Sequence, residues 1–261
     1  MEIGTGTRVL VTGASRGIGS AVARAFADRG CEVGLLARST DELEELARSL
    51  PGGGHRALSG DVGDAASVSA AVEAFGRTDV VVANAGVADY GPFRTMDLDA
   101  VERMTRVNWL GTVHTVAAVL PGMLERRSGH IVVVSSGAGL RAFPGAAVYG
   151  ATKHAQKGFA EALRHELSAT GVSVTIVYPG EIESHLHSHQ KGDLPDWYRG
   201  GDAAPADPLA QRIVGAVERD EPAVYYPAIV RSLRLVNGIS PRLADVMLRI
   251  LRGRSAAPRR R

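Results

Sequence analysis

Tyr149 and Lys153 stand four residues apart in the run YGATK, a spacing that sets a phenol and an ammonium on one face of a helix. Upstream, the apolar run Ile131–Val134 breaks into Ser135 and Ser136, and a loop rich in Gly and Pro leads on to Tyr149. A buried strand ending in serine, followed by a helix presenting Tyr and Lys together, brings a hydroxyl, a phenol and an ammonium to one point. Those are the parts of a proton-transfer site. Taken alone, the same residues read as well as a packing aromatic and a solvated helix lysine.

The elements that must position this group are legible as an alternation. Arg8–Val11 is an apolar run ending in TGASRGIG, and a helical pattern of Ile18, Val22, Ala25 and Phe26 follows until Gly30. Strands are expected at 33–37, 56–60 and 79–83, with helices at 41–50 and 66–75. A helix at 98–104 continues into a long one at 107–126, the strand 131–134 follows, and the Tyr149 helix reaches about 169. A strand at 172–177, a helix at 207–218 and a strand at 223–226 complete the pattern. Regular alternation predicts an α/β fold: a single doubly wound parallel-sheet Rossmann domain in three layers, with right-handed crossovers. One domain is expected over 1–230, with a polar, mobile insertion at 181–205 acting as a lid, and a C-terminal extension over 231–261.

Composition agrees. Aromatic residues make up only 5% of the 261 residues while apolar ones make up 45%, so the core must be aliphatic, as in a parallel sheet covered by helices. The net charge of +2 hides an asymmetry. From Arg231 onward nine arginines face one acid, Asp245, so this extension carries +8 and the preceding 230 residues −6. A mildly acidic domain with a basic tail is not a nucleic-acid footprint. The single Cys31 excludes an internal disulfide and suits a reducing compartment, with buried packing as its role. No signal-like segment precedes Thr7 and no uninterrupted apolar run approaches 18 residues, so a cytoplasmic protein is expected.

The first strand-to-helix turn holds glycines at 13, 17 and 19. At the carboxyl edge of such a sheet they permit a tight turn, close approach to a phosphate and a free helix N-terminus. The spacing is G-x-x-x-G-x-G rather than G-x-G-x-x-G. TGASRGIG at 12–19, NAG at 84–86, Asn108 with Gly111, Ser136, YGATK at 149–153 and PG at 179–180 together resemble the short-chain dehydrogenase/reductase family. The resemblance spans roughly residues 7–226, and the Ser136-to-Tyr149 spacing matches it. Ser135 is one residue too far, and strand alternation points it to the other side.

The resemblance implies a nicotinamide cofactor held by Gly13, Ser15, Arg16, Gly17, Ile18 and Gly19. Asp61 and Val62 would flank the adenine, and Asn84, Ala85 and Gly86 would lie along the ribose. Pro179, Gly180 and Ile182 would sit near the nicotinamide. Ser184 stands where the family often has Thr, and Glu181 and Glu183 are less usual there. An acid at the end of the second strand would select NAD by binding the ribose 2′-hydroxyl. Here that place holds Ala37-Arg38, and Arg38 with Arg16 could clasp a 2′-phosphate, so NADP(H) is the expected cofactor. The resemblance further implies that Tyr149 moves the proton, aided by Lys153, which lowers its pKa and binds the nicotinamide ribose. Ser136 would hold the substrate oxygen, and Asn108 would complete a water-linked relay through Lys153.

His185, His187 and His189 alternate like metal ligands, but no Cys or placed carboxylate supports them, and no metal is expected. Trp197 and Tyr198 could close over an apolar substrate or anchor the insertion. The chain lacks the short ending common in acyl-carrier ketoreductases and in sugar-acting members. Leu243, Val246, Met247, Ile250 and Leu251 form an apolar stripe opposite Arg242, Arg249 and Arg252. That ending resembles the branch with large apolar substrates. Its helix could pack on the cleft, join subunits or rest on an anionic membrane surface. The expected activity interconverts an apolar ketone or aldehyde and its alcohol, in a homo-oligomer. 3-Oxoacyl thioester reduction and a non-catalytic NADP sensor are the competing readings.

Overall fold

The computed structural model describes residues 1–183, 203–240, 242, 245 and 246. Seven strands form one parallel sheet: β1 (Arg8–Thr12), β2 (Glu32–Ala37), β3 (Arg56–Ser59), β4 (Val80–Ala83), β5 (Gly129–Val134), β6 (Val172–Pro179) and β7 (Ala223–Tyr226). Their order is β3-β2-β1-β4-β5-β6-β7, so the chain reverses its direction of growth between β1 and β4. The helices are α1 (Gly17–Ala27), α2 (Thr40–Ser49), α3 (Ala65–Phe75), α4 (Leu98–Met104), α5 (Gly111–Arg126), α6 (Ala147–Glu166), α7 (Ala206–Arg219) and α8 (Ile229–Ile239). The expected doubly wound α/β sheet is what forms.

Both faces of the sheet are covered, which is why its central strands are largely apolar. Period-two alternation still sorts the side chains. Val9, Val11, Val80, Val82, Val132 and Val134 join Phe26 and Leu43 in one core with Leu209 and Ile213 of α7. Leu10, Val81, Ile131, Val133 and Ile176 join Phe75, Val116, Met123 and Leu163 in the other. Cys31 lies in the first core at 2% exposure, and burial pushes its thiol up to about 11, so it is an inert packing residue, as expected.

The predicted helix pair at 98–104 and 107–126 is one continuous helical path, α4 into α5, joined by a π-helical turn over Thr105–Leu110. By length and hydropathy Leu98–Arg126 could cross a membrane. Its apolarity has another use, since Met104, Val116, Val119 and Met123 are buried against the protein. The Tyr149 helix starts two residues earlier than expected and ends at Glu166 rather than 169, because Ala169 takes a positive φ. The sequence pattern did not announce α8, whose first turn follows directly on the strand-ending Tyr226-Pro227.

At the amino edge of the sheet, far from the strand tips, His130 is buried on β5. Its Nε2 lies 2.8 Å from Thr175 Oγ1, and that hydroxyl donates its own proton to the Glu221 carbonyl at 2.6 Å. Nε2 must therefore carry a proton. Burial pulls the His130 pKa down to about 4 from 6.5. Between those values the unfolded chain binds a proton that the folded chain refuses, so stability is full above pH 6.5 and falls as pH drops toward 4. The loss should total about 3 kcal/mol. Urea titrations at pH 7 and 4.5 should show it in the wild type and a shallower acid slope in His130→Gln; equal slopes would refute the assignment.

Candidate active site

The strand tips open onto a cleft of about 600 Å³ that straddles the reversal between β1 and β4, the position where doubly wound sheets bind ligands. Gly13, Ser15, Arg16, Gly17, Ile18, Arg38, Asp61, Val62, Asn84, Ala85, Gly86, Ser136, Tyr149, Lys153, Pro179, Gly180 and Ile182 all line it. Gly19 and Asn108 stand just behind the surface. Ser184, His185, His187, His189, Trp197, Tyr198 and most of the apolar stripe at 243–251 fall outside the described residues. Among the described residues no cluster of His, Cys, Asp or Glu could hold a metal.

One end of the cleft is built by the β1–α1 turn. Gly13 takes φ +64°, a left-handed conformation that favours glycine. A Cβ on Gly19 would stand 2.1 Å from the Gly13 carbonyl oxygen, so only glycine lets α1 start this close to the turn. Asn84 braces the turn: its Nδ2 donates to the carbonyls of Thr12 at 3.0 Å and Gly13 at 3.3 Å. The buried Thr12 Oγ1 accepts in return from the amides of Asn84 and Ala85 at 3.0 and 3.1 Å. The Asn84 side-chain amide is thus spent on the turn, and the residue still lines the cleft. A helix N-terminus beside a glycine cradle fits the pyrophosphate of a dinucleotide.

Arg16 and Arg38 line this same end. Arg16 also approaches Glu42 of α2 at 3.4 Å, a partner the sequence reading did not identify. Both side chains are about half exposed, and a surface pair of that kind is worth at most about 1 kcal/mol.

Ser136, Tyr149 and Lys153 line the same cleft away from the β1–α1 turn. Ser136 caps a short 3₁₀ turn, its Oγ accepting from the Ala138 amide at 3.1 Å. Ser135 points away, and its buried Oγ donates to the Lys153 carbonyl at 2.9 Å, tying β5 to α6. Lys153 Nζ donates to the Val134 carbonyl at 3.1 Å and lies 5.7 Å from the centre of the Tyr149 ring. Lys153 is buried, and desolvation lowers its pKa to about 7 from 10.5. That refines the expectation of a permanent ammonium beside the phenol: near neutrality this lysine is poised between its two forms.

Asn108 is buried in the π-helical turn. Its Oδ1 accepts from the Val87 amide at 2.8 Å, and its Nδ2 donates to the Val87 carbonyl at 2.9 Å and to Thr152 Oγ1 at 3.0 Å. Its carbonyl accepts from Thr112 Oγ1 at 2.8 Å and Gln156 Nε2 at 3.0 Å. The side chain clamps the loop after β4. Asn108 and Lys153 meet only across Gly86, where a Cβ would lie 3.4 Å from Asn108 Oδ1 and 3.6 Å from Lys153 Nζ.

A glycine cradle, a buried Lys beside a cleft-lining Tyr, and a serine at the tip of β5 occur here in one parallel sheet, and the family model described as short chain dehydrogenase matches residues 7–194 of the chain. The chain belongs to the short-chain dehydrogenase family. It is an oxidoreductase of that family, and its relatives agree. An uncharacterized oxidoreductase of Listeria monocytogenes is 36% identical over 186 residues, covering 68% of this chain and 75% of that protein. A solved short-chain dehydrogenase/reductase from Burkholderia phymatum in complex with NAD is 25% identical with a TM-score of 0.82, covering 91% of this chain and 95% of the other. The closed form of a serine dehydrogenase complexed with NADP+ is 29% identical with a TM-score of 0.78, covering 84% and 94%. Structural neighbours therefore bind both nicotinamide cofactors.

Several residues of this short-chain dehydrogenase site escaped the sequence reading. Tyr90 and Phe143 line the cleft with Val87, Ala138 and Ala146, and most of them share a small apolar cluster with Tyr149. Ile229 and Val230 of α8 close one wall. Thr152 and Gln156 share the inner face of α6 with Tyr149 and Lys153, and their spacing of four was the available signal. Asp245 of the C-terminal extension pairs with Arg141, just beyond the Ser136 turn. That contact places part of the extension next to the cleft loop.

Proposed function

We propose that this short-chain dehydrogenase is an NADP(H)-dependent reductase of fairly large, apolar ketones or aldehydes, working in reverse on the alcohols. The observation that carries the reading is the buried Lys153 set behind a cleft-lining Tyr149, with Ser136 on the same cleft wall. The glycine turn and Pro179–Ile182 would hold a nicotinamide cofactor, which would supply or accept the hydride. The chain must supply the proton, and Tyr149 gives it to the substrate oxygen or takes it back. Ser136 Oγ orients that oxygen and offsets its developing charge. Lys153 sustains the phenol's ionisation and holds the cofactor ribose. Asn108 keeps the Val87 loop and α6 in register, and by resemblance links Lys153 to a water relay.

The preference for NADP(H) rests on Arg16 and Arg38 at one end of the cleft and on Ala37 at the place of a selective acid. The weak Arg16–Glu42 pair costs little to open, so Arg16 is available to a 2′-phosphate. Arg38→Asp should cut the NADPH-to-NADH ratio of kcat/KM on the order of tenfold to a hundredfold, the scale of one charge-assisted contact. An unchanged ratio would remove Arg38 from this role.

The substrate class rests on the wall formed by Val87, Tyr90, Phe143, Ile229 and Val230. NADPH oxidation with long-chain, steroid, retinoid and β-ketoacyl substrates is the direct test. Turnover confined to small polar substrates would overturn the apolar reading.

A further inference from the structure

We propose that Tyr90 is a positioning residue for Tyr149: its ring holds the phenol in the orientation that the proton transfer needs. This rests on the proton-transfer role given to Tyr149 above. The two rings meet edge to face, with centroids 5.7 Å apart and planes at 72°, within the range where aromatic pairs attract beyond simple burial. Tyr90 is 9% exposed and Tyr149 6%, and they belong to a cluster of Ala88, Met104, Ala138 and Ala146 that is separate from both sheet cores. Lys153 Nζ also sits against the Tyr149 ring. The reacting phenol is therefore bounded by an aromatic ring as well as by the lysine.

The loop that carries Tyr90 is fastened more firmly than packing a lone side chain would require. Asn108 clamps both backbone groups of Val87. Asp89 accepts from Arg103 of α4 at 2.8 Å, and the Asp89 amide donates to Met104 Sδ at 3.4 Å. On the far side of Tyr90, the Gly91 amide donates to the Gly145 carbonyl at 2.8 Å, two residues ahead of α6. Residues on both sides of Tyr90 are tied to α4, to the π-helical turn and to the approach to α6. These ties set where the Tyr90 ring stands relative to the helix that bears Tyr149. A displacement of about 1 Å at a reacting group is enough to cost on the order of a hundredfold in rate.

The test uses the full-length enzyme, NADPH and the best ketone of the panel above, with Tyr90→Ala, Tyr90→Leu, Tyr90→Phe and Tyr149→Phe measured side by side. Rates are normalised to NADPH-binding sites, so loss of folded protein does not count. The expected result is a kcat roughly 10- to 100-fold lower in Tyr90→Ala. Tyr90→Leu, which refills volume without a ring, should be nearly as slow, and Tyr90→Phe should recover most of the loss. KM should move by less than the rate, and the NADPH dissociation constant should hold. If Tyr90→Ala raises KM and keeps kcat, Tyr90 is only a substrate wall and the proposal falls. If Leu rescues as well as Phe, volume suffices and it falls. If Phe is as slow as Ala, the hydroxyl matters rather than the ring, and it falls again. Should Tyr90→Ala fail to fold, the Leu and Phe variants still decide. Activity retained by Tyr149→Phe would instead overturn the underlying mechanism, which keeps the two failures apart.

Discussion

Tyr149→Phe is expected to lower kcat by roughly 10²–10⁴-fold, the usual contribution of a positioned acid or base, while NADPH binding changes little. The argument is geometric. Tyr149 is 6% exposed and lines the cleft, and its backbone carbonyl takes the Thr152 hydroxyl at 2.8 Å, so removing one phenolic oxygen leaves α6 and the cluster around it in place. The cofactor end is built by the glycine turn and braced by Asn84 at the tip of β4, apart from the helix that bears the phenol. Fluorescence titration with NADPH and steady-state kinetics separate the two effects. Substantial turnover by the variant would end the proton-transfer reading, whereas loss of binding together with turnover would show that the phenol is structural.

Lys153→Met should also abolish useful turnover, and it should stabilise the cofactor-free protein. Burial holds the Lys153 pKa at about 7 in the folded chain against 10.5 unfolded. Between those values the unfolded chain holds a proton that the folded chain has released. Stability must then rise with pH across that window, by up to about 1.4 kcal/mol per pH unit, and the full cost of burying the lysine is present below pH 7. Methionine of similar length removes both the cost and the slope. Losing the bond to the Val134 carbonyl offsets part of the gain. A net stabilisation on the order of 2–4 kcal/mol at pH 7 is expected. Denaturant titrations at pH 7 and 10 on both proteins measure it, and parallel pH dependence in the two would contradict it. That cost, at a residue lining the cleft, supports the chemical role proposed for Lys153.

The strands and most helices were readable because their signals are local. Val80–Val82 and Ile131–Val134 need only be apolar on both faces to declare themselves. The Tyr149–Lys153 pair was readable because four residues on a helix define a face. Other features depend on contacts distant in sequence. Tyr90 meets Tyr149 across 59 positions of chain, and nothing near Tyr90 marks it except the Gly-Pro that follows. Arg16 and Glu42 come together only when α1 and α2 pack on β2. The start of α8 hid behind Tyr225-Tyr226-Pro227, which reads as a strand end and a turn, so the wall made by Ile229 and Val230 went unseen. Choosing Ser136 over Ser135 required strand alternation plus a family spacing, and the structure explains the geometry: Ser135 Oγ is spent on the Lys153 carbonyl.

The π-helical turn at Thr105–Leu110 works as a frame shift in three dimensions. A regular helix through this region would carry a single phase from α4 to α5, so aligning one face would fix the other. The wider turn accommodates an extra residue and frees the two halves. Met104 is set for the cluster beneath Tyr149, while Thr112 and Thr115 are set for the buried side of α5. Asn108 stands at the step between them, with its backbone carbonyl turned to Gln156 as well as to Thr112. Chain length in this short segment therefore matters apart from residue identity. An exchange of Thr105 or Leu110 alters one side chain, whereas the loss of one residue would rotate one half of the rod against the other and carry Asn108 off the Val87 loop.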